Sequence, residues 1–285
     1  MEPRTIRFTN DRCKGVTLHA LEWGNPARPV VVLLHGGGAN AYWWDHIATA
    51  LSDHHHLVAL DFRGHGDSDH PDELEVGAFG ADLESLLQHL GSEEVVVVGH
   101  SMGAHVALDH AAHHGATRGL VLIDLSRGGE RRSRRVARLA LSLRGAYASR
   151  QEAVDRYRFM PAAEHVDEAL RRRIAERSVR QLSDGRWAFK FDPRWFGVAS
   201  RPKPDPGDIR CPTLLLRGAE STLLSSAGAQ ACASEIPNAQ LVEIARAGHH
   251  IPLDRPDAVI SVLREFLSAI DADTGVRSGE PQLRR

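Results

Sequence analysis

The chain has 285 residues, 42% of them hydrophobic and 25% charged, enough for one large core with an insertion or for two small domains. A net charge of -2 excludes a globally basic nucleic-acid binder or anionic-membrane binder, although arginines crowd the segment 127–180. No run approaches 18 apolar residues, the opening Met-Glu-Pro-Arg-Thr-Ile-Arg lacks a secretion signal, and the three cysteines are odd in number without metal-ligand spacing, so a cytoplasmic protein without membrane attachment is expected.

In chain order, the segment 5–23 alternates in hydropathy and predicts an antiparallel edge hairpin. Continuous apolar, β-branched runs follow at 30–34, 57–60, 95–98, 120–123, 213–216 and 240–244. Such runs suit strands buried on both faces of a parallel sheet. Helical patterns separate them near 41–52, 76–90, 102–113, 226–235 and 256–270. This alternation predicts an α/β protein with a doubly wound, mostly parallel sheet. It breaks between Leu125 and Asp205, where arginine-rich helical patterns end at the stiff series Pro202, Pro204 and Pro206. The expected organisation is a core of 1–125 and 206–272, an inserted helical lid over 126–205, and a flexible tail over 273–285.

Four loops at predicted strand ends carry chemistry. Gly99-His100-Ser101-Met102-Gly103 sits directly between a β-run and a helical pattern. That context makes G-x-S-x-G a sharp strand-to-helix turn that exposes a serine nucleophile, Ser101. His35-Gly36-Gly37-Gly38 follows the run 30–34, and its small residues let backbone N–H groups face a cavity. Backbone N–H groups of this loop and that of Met102 are the expected oxyanion donors, and His35 is read as a structural hydrogen-bonding residue. Asp61-Phe62-Arg63-Gly64-His65-Gly66-Asp67-Ser68 reads as a tight loop in which Asp61 and Arg63 are scaffold. Ala247-Gly248-His249-His250-Ile251-Pro252-Leu253 offers a general base, His249, with His250 packing beside it. His54-His55-His56 is read as a solvent-exposed turn rather than a ligand set, and no metal or cofactor is expected.

Taken together, these four motifs in this order resemble the α/β-hydrolase superfamily, and more closely its lid-bearing bacterial esterases, lactonases and carbon–carbon bond hydrolases. The resemblance covers about residues 15–125 and 205–270. It implies an eight-stranded core, a lid after strand six, a triad in the order serine, acid, histidine, with Ser101 and His249 as its members, and oxyanion donors at Met102 and at Gly37 or Gly38. In this family the acid usually follows strand seven, but here Arg217-Gly218-Ala219-Glu220-Ser221-Thr222 has Ser221 and Thr222 at the expected aspartate positions. Glu220, the one carboxylate in that loop, is the expected acid, with Asp124 at the end of the run 120–123 as the alternative.

For the substrate pocket, Trp43 and Trp44 after the glycine loop are expected to face Trp187 and Trp195 of the aromatic-rich segment 187–196. Arg131, Arg135 and Arg138 share one helical face, read as solvated or as a dock for an anionic group. The expectation is a serine hydrolase of a small carboxylic ester or lactone, acting as a monomer or homodimer on a small-molecule substrate. The alternatives are a tailoring enzyme (cyclase, lyase, thioesterase or carbon–carbon hydrolase) and a ligand-binding protein on the same scaffold.

Overall fold

The computed structural model describes residues 2–73, 75–92, 94–125, 145–163, 165–197 and 204–277. Its centre is an eight-stranded sheet built from β1 (Arg4–Phe8), β2 (Leu18–Trp23), β3 (Val30–Leu34), β4 (His56–Asp61), β5 (Val96–His100), β6 (Gly119–Ile123), β9 (Thr213–Gly218) and β10 (Ala239–Ile244). The spatial order is β1-β2-β4-β3-β5-β6-β9-β10. Only β2 runs against the others, pairing antiparallel with β1 and β4, so the expected edge hairpin is present. The remaining pairs are parallel.

The β-branched runs are explained by two cores. Val32, Leu34 and Val97 pack on one face of the sheet against the helices Ala78–Leu90, Met102–His113 and Ser226–Glu235. Their neighbours Val31, Leu33, Val96 and Val98 pack on the other face, against Asp45–Leu51 and Pro256–Arg277. Alternate side chains of one strand thus enter opposite cores, and both must be apolar. The last helix runs on through 271–277, beyond the expected end at 270 and into the stretch read as tail.

Between β6 and β9 lies the insertion, of which Arg150–Arg156 and Glu168–Arg177 are helical. It also contains a two-stranded antiparallel ribbon, β7 (Val179–Gln181) and β8 (Trp187–Phe189), which a purely helical reading omits. A third cluster, including Val154, Phe159, Leu170 and Ile174, packs these elements on Ala39, Trp43 and Leu253 of the core. The segment Lys190–Asp192 is hydrogen-bonded to the loop 61–68: Gly66 N donates to the Lys190 carbonyl and Asp192 N to the Gly64 carbonyl, each at 2.8 Å. Lys190 Nζ adds an ion pair to Asp67 at 2.7 Å.

Candidate active site

The site gathers at the carboxyl ends of the parallel strands. Ser101 joins β5 to the following helix with φ 52° and ψ −111°, a conformation that L-residues rarely adopt. It persists because the turn has no room to relax. A Cβ on Gly99 would collide with the backbone of Gly103, and one on Gly103 with the carbonyl of Leu34. Ser101 N also donates to the Ile123 carbonyl at 2.9 Å, tying the turn to β6.

His249 Nε2 lies 3.0 Å from Ser101 Oγ, and its Nδ1 lies 2.6 Å from Asp124 Oδ2. Asp124, fully buried at the end of β6 with φ 45°, holds its own N–H on the Leu216 carbonyl at 2.8 Å. Its Oδ1 faces Gly218 N at 3.4 Å, and its Oδ2 also accepts from Ser221 Oγ at 2.7 Å.

Glu220, the expected acid, is not in this group. Its carboxylate lies 2.7 Å from His165 Nε2 of the insertion and is half exposed. The reason is the register of the loop. Glu220 N donates to the Ala247 carbonyl at 2.9 Å, and Arg217 caps Ala219 O and Leu224 O, which turns Ser221 inward and Glu220 outward. Asp124, the alternative, takes its place against His249.

The neighbouring histidines are fixed as neutral rings. His100 Nε2 donates to the His249 carbonyl at 2.9 Å, holding that backbone in place, and burial, then the nearby His249, keeps its pKa well below the ordinary range. His250 Nε2 donates to the Pro161 carbonyl at 2.9 Å, toward the insertion and away from Ser101. Burial first, then proximity to His249, pushes its pKa down to about 3. His35 accepts from Phe62 N through Nε2 at 3.2 Å and donates from Nδ1 to Gly36 O at 2.7 Å, a structural pairing that burial keeps neutral.

The glycine loop passes beside the serine: a Cβ on Gly36 would lie 3.3 Å from that of Ser101. A Cβ on Gly38, at φ 76°, would meet the Phe191 ring at 3.8 Å. Met102 opens the helix, so its N–H has no acceptor within the helix and is directed to the same end. The loop 61–68 is built as scaffold. Asp61 accepts from His19 Nδ1 at 2.7 Å, Ala41 N at 2.6 Å and Asp67 N at 2.9 Å. Arg63 grips the buried Asp82 through Nε at 2.8 Å and a terminal nitrogen at 2.6 Å.

Of the four tryptophans expected around a pocket, only Trp43 adjoins this group, with its ring centroid 5.3 Å from that of His250 and 6.5 Å from that of His100. Trp44 is packed into the core with Ile47 and Leu263. Trp187 pairs with Tyr147 inside the insertion. Trp195 is a peg: buried, it lies on Gly64 and 4.9 Å from the Phe79 ring. Phe191, beside Gly38, is the aromatic that does reach the glycine loop. Arg131, Arg135 and Arg138 lie outside the described residues, as does the Phe196 side chain.

Two groups among the described residues bring three potential metal-ligand atoms within 4.8 Å of one another: His100, His249 and His250, and His19, Asp61 and Asp67. In the first group His249 and His100 are hydrogen-bonded as above and His250 through Nε2 alone; in the second, His19 pairs with Asp61 and Asp67 with Lys190. The triplet 54–56 does not converge. His54 alone is exposed, whereas His55 pairs with Asp271 at 3.0 Å and His56 with Glu22 at 2.7 Å, correcting the reading of an exposed turn. No helix among the described residues is long and apolar enough to cross a membrane.

The profile of the alpha/beta hydrolase family matches residues 31–262. Among curated relatives, the esterase Rv0045c of Mycobacterium tuberculosis is 31% identical over 276 residues, covering 90% of this chain and 88% of its own. The 2-(acetamidomethylene)succinate hydrolase of Mesorhizobium japonicum is 24% identical, covering 89% of this chain and 92% of its own. Among solved structures, the thioesterase domain from the curacin biosynthetic pathway has a TM-score of 0.77 at 22% identity, covering 92% of this chain and 99% of its own.

Proposed function

The chain belongs to the alpha/beta hydrolase family, and from that premise we propose that it is a serine hydrolase cleaving a small carboxylic ester or lactone through an acyl-enzyme. One observation carries this reading: the unbroken relay from Ser101 Oγ through His249 to the buried Asp124. In the proposed mechanism Ser101 attacks the substrate carbonyl while its proton passes to His249 Nε2. The negative oxygen that develops is met by the N–H of Met102 and that of Gly37 or Gly38. Asp124 stabilises the imidazolium, which then protonates the departing alkoxide. Water, deprotonated by His249, attacks the acyl-enzyme and releases the acid, returning the proton to Ser101.

The 31% identity to an esterase over nearly the whole chain supports an ester-like substrate. Trp43 and Phe191, flanking the glycine loop, supply apolar walls suited to an acyl group, and the insertion serves as the lid. Contact of Asp124 with His249 favours hydrolysis over the ligand-binding alternative, which needs no acid. The test is incubation with a fluorophosphonate probe, followed by hydrolysis across p-nitrophenyl esters of increasing chain length and a panel of lactones. Covalent capture at Ser101 and turnover of at least one panel are expected. An inert Ser101 in folded protein would overturn the reading.

A further inference from the structure

Asp124 Oδ2 is a shared acceptor, reached by His249 Nδ1 at 2.6 Å and by Ser221 Oγ at 2.7 Å. A serine hydroxyl has one hydrogen and two lone pairs. Both lone pairs of Ser221 are engaged, because Leu223 N donates to Oγ at 3.3 Å and Leu224 N at 3.2 Å. The single hydroxyl hydrogen therefore points at Asp124 Oδ2. In the proposed mechanism the same oxygen also accepts from His249 Nδ1, which leaves the lone pair of Nε2 facing Ser101.

We propose that Ser221 is a positioning residue, whose hydroxyl sets the direction of every hydrogen bond from Asp124 through His249 to Ser101. The inference rests on the reading of Ser101 as nucleophile. The hydroxyl cannot swing to another partner, because its loop is braced at both ends. Arg217 Nε donates to Leu224 O at 2.8 Å, a terminal Arg217 nitrogen donates to Ala219 O at 3.3 Å, and Glu220 N holds Ala247 O. Without the Ser221 donor, Asp124 loses one of the two hydrogen bonds that fix its Oδ2, and His249 loses a fixed partner.

Position 221 stands where the resemblance places the family's usual acid, and the contact with Asp124 lets a carboxylate there be tested as a substitute. Aspartate there is longer than serine and can reach toward the point that Asp124 Oδ2 occupies, 2.7 Å from Ser221 Oγ. Glycine suits the φ of 45° at 124 and vacates that point.

The experiment measures the second-order rate of Ser101 labelling by a fluorophosphonate, with kcat and KM for a p-nitrophenyl ester and thermal melts for every variant. Ser221→Ala should slow labelling by about ten- to hundredfold, the range for a lost hydrogen bond to a charged group, with KM little changed. Ser221→Thr, which keeps the hydroxyl, should recover the rate to within about threefold of wild type. Asp124→Gly should be nearly inert, and adding Ser221→Asp should return at least about tenfold of the lost rate, because a carboxylate again faces His249. If the wild type is not labelled, the nucleophile reading fails and this inference with it. If the wild type is labelled and Ser221→Ala reacts as fast, the inference alone is overturned. It is overturned equally if Ser221→Thr is as slow as Ser221→Ala, which would mark a packing role, or if Ser221→Asp returns nothing to Asp124→Gly.

Discussion

Replacing Asp124 by Asn keeps the shape of the side chain and removes its charge. The amide has one acceptor oxygen, and either orientation is costly. With the oxygen toward His249, the NH2 faces Gly218 N–H, 3.4 Å away, donor against donor. With the NH2 toward His249, the ring must accept at Nδ1 and carry its hydrogen on Nε2, where it can no longer take the Ser101 proton. Both orientations also lose the stabilisation of the imidazolium. Triad precedents in other proteins put this loss at about 10⁴-fold in kcat, about 5.4 kcal/mol of transition-state stabilisation. The assay is stopped-flow labelling of Ser101 by a fluorophosphonate, with Glu220→Gln measured alongside. Glu220, half exposed and paired with His165, should stay within a few-fold of wild type. Asp124→Asn within tenfold of wild type would refute the argument, as would a larger loss in Glu220→Gln.

His249→Ala should abolish turnover, whereas His250→Ala should retain most of kcat but lose its hold on the insertion at Pro161, seen as a raised KM; the reverse ranking by steady-state kinetics would contradict the assignment. His250, with a pKa of about 3, and His70 and His110, each about 4, stay neutral in the fold while the unfolded chain titrates near 6.5. The unfolded state therefore takes up protons that the folded state refuses, and stability falls as pH drops below about 6.5, by up to about 1.4 kcal/mol per pH unit for each such histidine at full burial. Urea midpoints at pH 7.5 and 5.5 check this, and equal midpoints contradict it. Trp195→Ala empties the peg beneath Gly64 and Phe79 and should cost about 3–5 kcal/mol where unfolding is cooperative, read from chemical denaturation. Turnover should survive exhaustive chelation in the proposed mechanism, and loss of activity restored by a divalent ion would contradict it.

The sheet was legible because strands buried on both faces leave a continuous apolar signature, as at Val30–Leu34 and Val96–His100. The turn at Ser101 was legible because glycine is sterically required at 99 and 103, so the motif records a contact rather than a habit. The acid was not. Whether Glu220 or Ser221 faces inward depends on the bond from Glu220 N to Ala247 O, which joins segments 27 residues apart and leaves no local trace. The tryptophans were ambiguous for a different reason: a large apolar ring reads the same whether it adjoins the site, as Trp43 does beside His250, or fills a core, as Trp44 does. His55 was misread because its partner, Asp271, lies 216 residues away. The ribbon β7–β8 was missed because three-residue strands are too short to show a period.

The chain leaves the core for its insertion immediately after β6, and the last residues before departure are Asp124 and the buried Leu125. The carboxylate that holds His249 is thus also the gatepost of the insertion. Anyone grafting a foreign insertion here has a strict left-hand boundary: a splice before Asp124 removes the partner of His249, whereas the right-hand boundary, near the buried Ile209, touches none of these groups. The graft must also reproduce contacts to the core, among them an acceptor for His250 at the position of Pro161, a backbone partner for Gly64 and Gly66, and a cation for Asp67.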